Sequence, residues 1–172
     1  MNKICMITER SIDGSDASGN RAEWEFKALR KKGFSNIKLI DKFDKTKLPE
    51  ISNCLIHAQQ LSGRLLDNSR YVVDAHGLEY VHDYHLSHGY PIHSWKRWAF
   101  RAKSYHYKKL ENKIFKNSLH VFCAGENIYE KVKNIQNASV VRNAVFLENY
   151  KPTSCKNLKV ALVGPFLPGK IN

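Results

Sequence analysis

Six short apolar runs, rich in β-branched residues, set the terms for what this chain can fold into. They are "KICMIT" (3–8), "IKLI" (37–40), "CLIHA" (54–58), "YVVDA" (71–75), "LHVFCA" (119–124) and "ASVV" (138–141). Runs of this length are too short for helices, and they lack the strict apolar–polar alternation of a strand with one face in water. They read as strands buried on both faces. Between them lie segments with helical periodicity. In "RAEWEFKALRKKG" (21–33), Ala22, Phe26 and Leu29 recur on one side, Arg30, Lys31 and Lys32 fill the last turn, and Gly33 supplies a stop. Further helical patterns cover 95–118 and 126–134, with a short one near 60–67. Strands alternating with helices, joined by right-handed crossovers, predict an α/β fold with a Rossmann-like parallel sheet sandwiched by helices.

A chain of 172 residues is long enough to bury one continuous core without disulfides or metal. The strand–helix order changes near the end. "ENYKPTSCKN" (148–157) reads as a linker, and "LKVALVGPFLPGKIN" opens a fresh strand followed by Gly-Pro and Pro-Gly. The expectation is a Rossmann-like domain over 1–150, then a linker and the first strand of a truncated second domain over 151–172. No apolar run has the length of a membrane span, and Glu9 and Asp13 close behind the first run do not fit a signal peptide, so a cytoplasmic protein is expected. Cys5, Cys54 and Cys123 lie inside apolar runs, and with Cys155 they make no C-x-x-C, which reads as reduced core thiols.

Charge divides the chain. Residues 1–94 carry 13 Lys/Arg against 12 Asp/Glu, whereas residues 95–172 carry 15 against 4, so the second half faces something anionic. Much of the excess falls in "SWKRWAFRAKSYHYKKLENKIFKNS" (94–118), with 8 Lys/Arg and the single acid Glu111. Helical spacing puts Trp95, Trp98, Ala99, Ala102, His106 and Leu110 on one side, and projects Arg97, Arg101 and Lys108 from another as a candidate contact for an anionic membrane surface. The other reading is a crossover helix that covers the sheet and turns a basic face to water. No helix-turn-helix, zinc-finger or aromatic RNP pattern supports nucleic acid as a partner.

Ligands of open parallel sheets bind beyond the carboxyl ends of the strands, so the residues after each run carry the chemistry. After the first run, Gly14 and Gly19 are spaced as in a P-loop, but Asn20-Arg21 stands where Lys-Ser/Thr would hold phosphate and magnesium. The loop is either an anion cradle opening onto a helix or a surface connection. Asp41 ends the second run where a ribose-binding acid would lie, yet the dinucleotide glycine fingerprint is missing, which leaves a basic nucleic-acid or dinucleotide-binding module as the alternative reading. His82, His85 and His88, with Asp74, His76 and Asp83 nearby, invite a zinc reading. Steps of three on a helix swing the first and third side chains apart, and Gly89 and Pro91 read as a loop, so no metal is expected. His76 follows a strand by one residue and precedes Gly77, the place for a ligand contact or for a structural histidine.

Taken in order, these stretches resemble the amino-terminal domain of a GT-B glycosyltransferase of the family 4 type. The residues that carry the likeness are Ser18-Gly19-Asn20 entering "RAEWEFKALRKKGF", "VVDAHG", "ENKIFKNSLHVFCAGENIYEKV", "VVRNAVFLENYKP" and "VALVGPFLPGK". The resemblance implies a retaining transferase that moves a sugar from a nucleotide-sugar to a glycan or lipid-linked acceptor, in a cleft between two Rossmann-like domains. It implies no cofactor beyond the donor itself and no essential metal. By match, His76 acts on the reacting sugar, and Gly14, Ser18, Gly19, Asn20, Gly77, Glu126 and Asn143 line the substrate and donor site. The partners implied are the nucleotide-sugar, the acceptor, an anionic membrane surface touched peripherally, and the missing carboxyl-terminal domain, without which the chain is expected to be inactive.

Overall fold

The computed structural model describes residues 3–12, 17–66 and 70–142. Gly14, Asn143, the expected linker and the strand after it lie outside the described residues. All six apolar runs form strands: β1 (Lys3–Ile7), β2 (Ile37–Ile40), β3 (Cys54–Gln59), β4 (Tyr71–Ala75), β5 (His120–Cys123) and β6 (Ala138–Val140). They make one parallel sheet in the order β2-β1-β3-β4-β5-β6. Helices α1 (Ala17–Lys31), α2 (Leu48–Ile51), α3 (Glu79–His88), α4 (Trp95–Asn117) and α5 (Glu126–Val132) connect them, with 3-10 turns at Lys45–Lys47 and Gln60–Leu65. The architecture is α/β and Rossmann-like.

Alternation along the strands sorts side chains onto two faces. One face carries Cys5, Ile7, Ile56, Ala58, Tyr71, Val73, Ala75, Val121 and Cys123 into a buried core with Ile114 and Phe115 of α4 and Ile128 and Val132 of α5. The Tyr71 hydroxyl enters this core and is satisfied by donating to the Ile114 carbonyl at 2.8 Å. The opposite face is unusually polar. His57 and Gln59 of β3 and Asp74 of β4 point there, toward α1, whose Ala22 is fully buried.

Helix α1 begins at Ala17, earlier than the apolar periodicity marks, so Ser18, Gly19 and Asn20 lie in its first turn and not in a loop. The cause is close packing. A Cβ on Gly19 would stand 2.0 Å from the Ser11 carbonyl oxygen, so only glycine lets the turn close against the segment leaving β1. At its other end Gly33 takes a φ of 92°, and the Phe34 N–H returns to the Leu29 carbonyl, the left-handed stop expected there.

The histidine-rich stretch is a helix, α3, and not a loop. It packs on α4 through polar groups. Asp83 and Ser87 are its buried residues, the Ser104 hydroxyl donates to the Tyr80 carbonyl at 2.7 Å, and the Lys103 ammonium sits 3.3 Å from the Asp83 carboxylate. Helix α4 turns its tryptophans outward. Trp95 and Trp98 are 73% and 55% exposed, while Ser104, Glu111, Ile114 and Phe115 are buried. Arg97 and Arg101 therefore do not project as a free charged strip: Arg97 donates to the Tyr90 carbonyl at 3.2 Å, and the Arg101 guanidinium lies over the Tyr84 and Trp98 rings. Lys108 is exposed, its ammonium 5.8 Å from the Tyr80 ring centre.

Candidate functional site at the carboxyl edge

β1 is followed in the chain by β2 on one side, while β3 flanks it on the other, so the strand order reverses between β1 and β3. The connections leaving two such strands diverge to opposite faces and open a crevice at their carboxyl ends. A cleft of about 250 Å³ lies there. Thr8, Glu9 and Arg10 line it from the end of β1, and Gln59, Gln60, Ser62 and Arg64 from the end of β3. Glu79 of α3 and Tyr107 of α4 close it.

The walls are braced. The Glu9 N–H donates to the Ser62 hydroxyl at 3.0 Å, tying the two strand ends together. Arg64 and Glu9 form a two-pronged pair, with Nε–Oε1 at 3.0 Å and Nη2–Oε2 at 2.7 Å. Gln60 has a φ of 45°, left-handed backbone that costs a side-chain-bearing residue about 1–2 kcal/mol. Its side-chain amide donates to Glu79 Oε1 at 2.9 Å, so the strained residue points its polar group at the mouth of α3. Leu78 caps that helix without a side-chain oxygen, and Glu111 reaches over from α4 to accept from the Glu79 and Tyr80 N–H groups at 2.8 and 3.4 Å. Glu111 is fully buried, which pushes its carboxyl up to about 7 even though the two N–H groups pull the other way.

Beside the cleft, on the α1 face, is a buried ionic cluster. Arg21 grips Asp74 with Nε–Oδ2 at 2.9 Å and Nη2–Oδ1 at 3.1 Å, and the same Nε lies 2.8 Å from Glu25 Oε1. Gln59, which also lines the cleft, donates to Glu25 Oε2 at 2.9 Å. His76, half-buried just past β4, has Nε2 3.5 Å from Asp74 Oδ2. Burial works to raise the Asp74 carboxyl, but His76, Glu25 and Arg21 outweigh it and hold it well below the usual range. Glu25 goes the other way, raised by burial and by the neighbouring Asp74 charge. Burial holds the His57 imidazole low, against the attraction of Asp74. Glu25, His57 and Asp74 bring three donor atoms within 4.8 Å of one another, the spacing of a metal site. Arg21 contacts both carboxylates, so the chain itself places a cation among these oxygens.

The sequence-derived candidates distribute unevenly over this edge. His76 and Gly77 stand on it, one strand over from the cleft, and are not among the cleft's lining residues. Space around Gly77 is open. Gly19 is committed to packing on Ser11, and Glu126 is an exposed first-turn residue of α5 with Arg142 Nη2 at 3.8 Å. His85 and His88 are exposed on α3, with Tyr84 packing edge-on to both rings. Sequence reasoning missed the cleft's own polar groups, Arg10, Gln60, Arg64 and Tyr107, although "ERS" and "QQLSGR" directly follow two of the apolar runs. No protein-family model, curated protein or solved structure matches the chain.

Proposed function

We propose that this chain is the acceptor-side domain of a retaining glycosyltransferase that moves a sugar from a nucleotide-sugar to a glycan or lipid-linked acceptor. The observation that carries the reading is the polar cleft at the strand-order reversal, with the His76 rim beside it. Hydroxyl, amide and guanidinium groups with one aromatic ring are the lining that a sugar requires, since each sugar hydroxyl both donates and accepts and its C–H face packs on an aromatic. On this reading the acceptor occupies the cleft between Arg64, Gln60 and Tyr107. His76, oriented by Asp74, hydrogen-bonds the sugar being transferred, and the leaving diphosphate is stabilised by backbone amides and cations of a second domain. No metal or cofactor takes part. Glu126 and Gly77 face the donor across the cleft between domains.

The same reading gives α4 a peripheral role at an anionic membrane, with the residues reassigned. Ile92, Trp95 and Trp98 are the exposed apolar groups at its amino end, and Lys96 and Lys109 stand among them and beside Tyr105 as cations for lipid headgroups.

The test is nucleoside-diphosphate release by the complete enzyme with each of a set of nucleotide-sugars and a lipid-linked acceptor, with the product anomer read by NMR. Acceptor-dependent release with retained configuration is expected. An inverted product, or tight binding of NAD(P) with no sugar turnover, would overturn the reading.

A further inference from the structure

At the amino edge of the sheet, opposite the cleft, two free thiols meet. Cys5 is buried in β1, and Cys54 is the half-buried first residue of β3, following the Ser52–Asn53 turn. Lys3 stands opposite Cys54 in register and Cys5 opposite Ile56, so Cys5 and Cys54 are diagonal neighbours on one face of adjoining strands. The Cys5 thiol donates to the Cys54 sulfur across 2.7 Å. Lys3 and Lys38 place positive charge around the pair.

We propose that Cys5 and Cys54 are a redox-modification site, at which a peroxide oxidises Cys54 and Cys5 closes a reversible disulfide. The Cys54 sulfur attacks the peroxide O–O bond, takes one oxygen as a sulfenic acid, and the other oxygen leaves with a proton as water. The Cys5 sulfur then displaces the hydroxyl from Cys54, which departs as water with the Cys5 proton. Two thiols are oxidised and one hydrogen peroxide is reduced to water. Access assigns the roles, since Cys54 is the more exposed. Burial and the bond to Cys54 push the Cys5 thiol up to about 12, which suits the protonated partner. A diagonal pair has its α-carbons further apart than a registered one, so closing the bond draws the first residue of β3 toward β1. Such a bond is readily reduced, which makes the site reversible.

The experiment treats the full chain with hydrogen peroxide near stoichiometry, alkylates the remaining thiols and maps peptides under non-reducing conditions. The expected result is a Cys5–Cys54 cross-linked peptide that dithiothreitol removes, with the free-thiol titre halved. In Cys5→Ser the cross-link disappears and dimedone labels Cys54 as a sulfenic acid, and in Cys54→Ser Cys5 remains a thiol. Cys54 unmodified while Cys123 or Cys155 oxidises, or Cys54 driven to sulfinic acid in the unmodified protein with Cys5 still free, would overturn the proposal. If Cys5→Ser does not fold, Cys54→Ser and the peptide map of the unmodified chain decide it.

Discussion

Arg21 and Asp74 show how a few residues set the chemistry of this edge. Asp74 is 1% exposed, and a lone carboxylate there would be driven to bind a proton; His76 and Glu25, together with the two-pronged Arg21 contact, keep it ionised. Removing one partner leaves the other charge buried, so Arg21→Met should destabilise the fold by about 3 kcal/mol, read as a lowered urea midpoint. Pairing it with Asp74→Asn should recover much of that loss, and equal loss in single and double variants would show that the two residues do not act as a pair.

Glu111 gives a second prediction at this scale. Its carboxyl lies near 7 in the folded chain against an ordinary 4.5, so the folded state holds the proton more tightly than the unfolded chain does. Its contribution to stability is complete below pH 4.5 and is lost as pH rises through 7. Raised Glu25 adds to the same trend, whereas lowered Asp74 contributes above its ordinary 3.8 and loses that on acidification. Burial-lowered His57 opposes the trend, since the unfolded chain takes up that proton more readily below its ordinary 6.5. With two raised carboxyls against one imidazole, thermal melts should show stability higher near pH 5 and falling toward pH 8. Glu111→Gln, which keeps an oxygen for the Glu79 N–H, should flatten the decline. A melting temperature that climbs steadily from pH 5 to pH 8 would contradict this.

At the scale of elements, the strands and the inward face of α1 (Ala22, Phe26, Leu29) were readable, and the faces of α3 and α4 were not. All six apolar runs are strands because burial on both sides selects for local composition, and that signal needs no partner. Helix α3 hides because its buried residues, Asp83 and Ser87, are polar, so no apolar stripe marks it. The same polar contact turns α4. Ser104 and Lys103 meet Tyr80 and Asp83, and this leaves the tryptophans, the obvious core candidates by type, in solvent. The basic helix consequently offers aromatic rings and lysines together at one end. Trp95→Ser with Trp98→Ser should weaken sedimentation with anionic vesicles several-fold, and added salt should weaken binding of the unmodified protein by screening its lysines. Equal, negligible binding of the unmodified protein to neutral and anionic vesicles would leave α4 a crossover helix with a basic outer face.

For the molecule as a whole, the fold class was legible and the cleft was not. Parallel α/β architecture follows from the alternation of runs and helices, but the cleft depends on β3 lying against β1 and not against β2, a non-local choice that no run states by itself. His76 was found because its position after β4 is local; Gln60, Arg64 and Tyr107 come from separate segments and meet only once the strand order is set. On the proposed function, this edge performs sugar transfer with His76 acting on the reacting sugar. That role is tested most directly by the steady-state rate constants of His76→Ala in the complete enzyme, alongside a melt showing that it folds. An oriented hydrogen bond made in the transition state predicts a fall in kcat of about a hundredfold, with the acceptor KM little changed. Unchanged kcat, or a loss confined to KM, would contradict the account and assign His76 to structure.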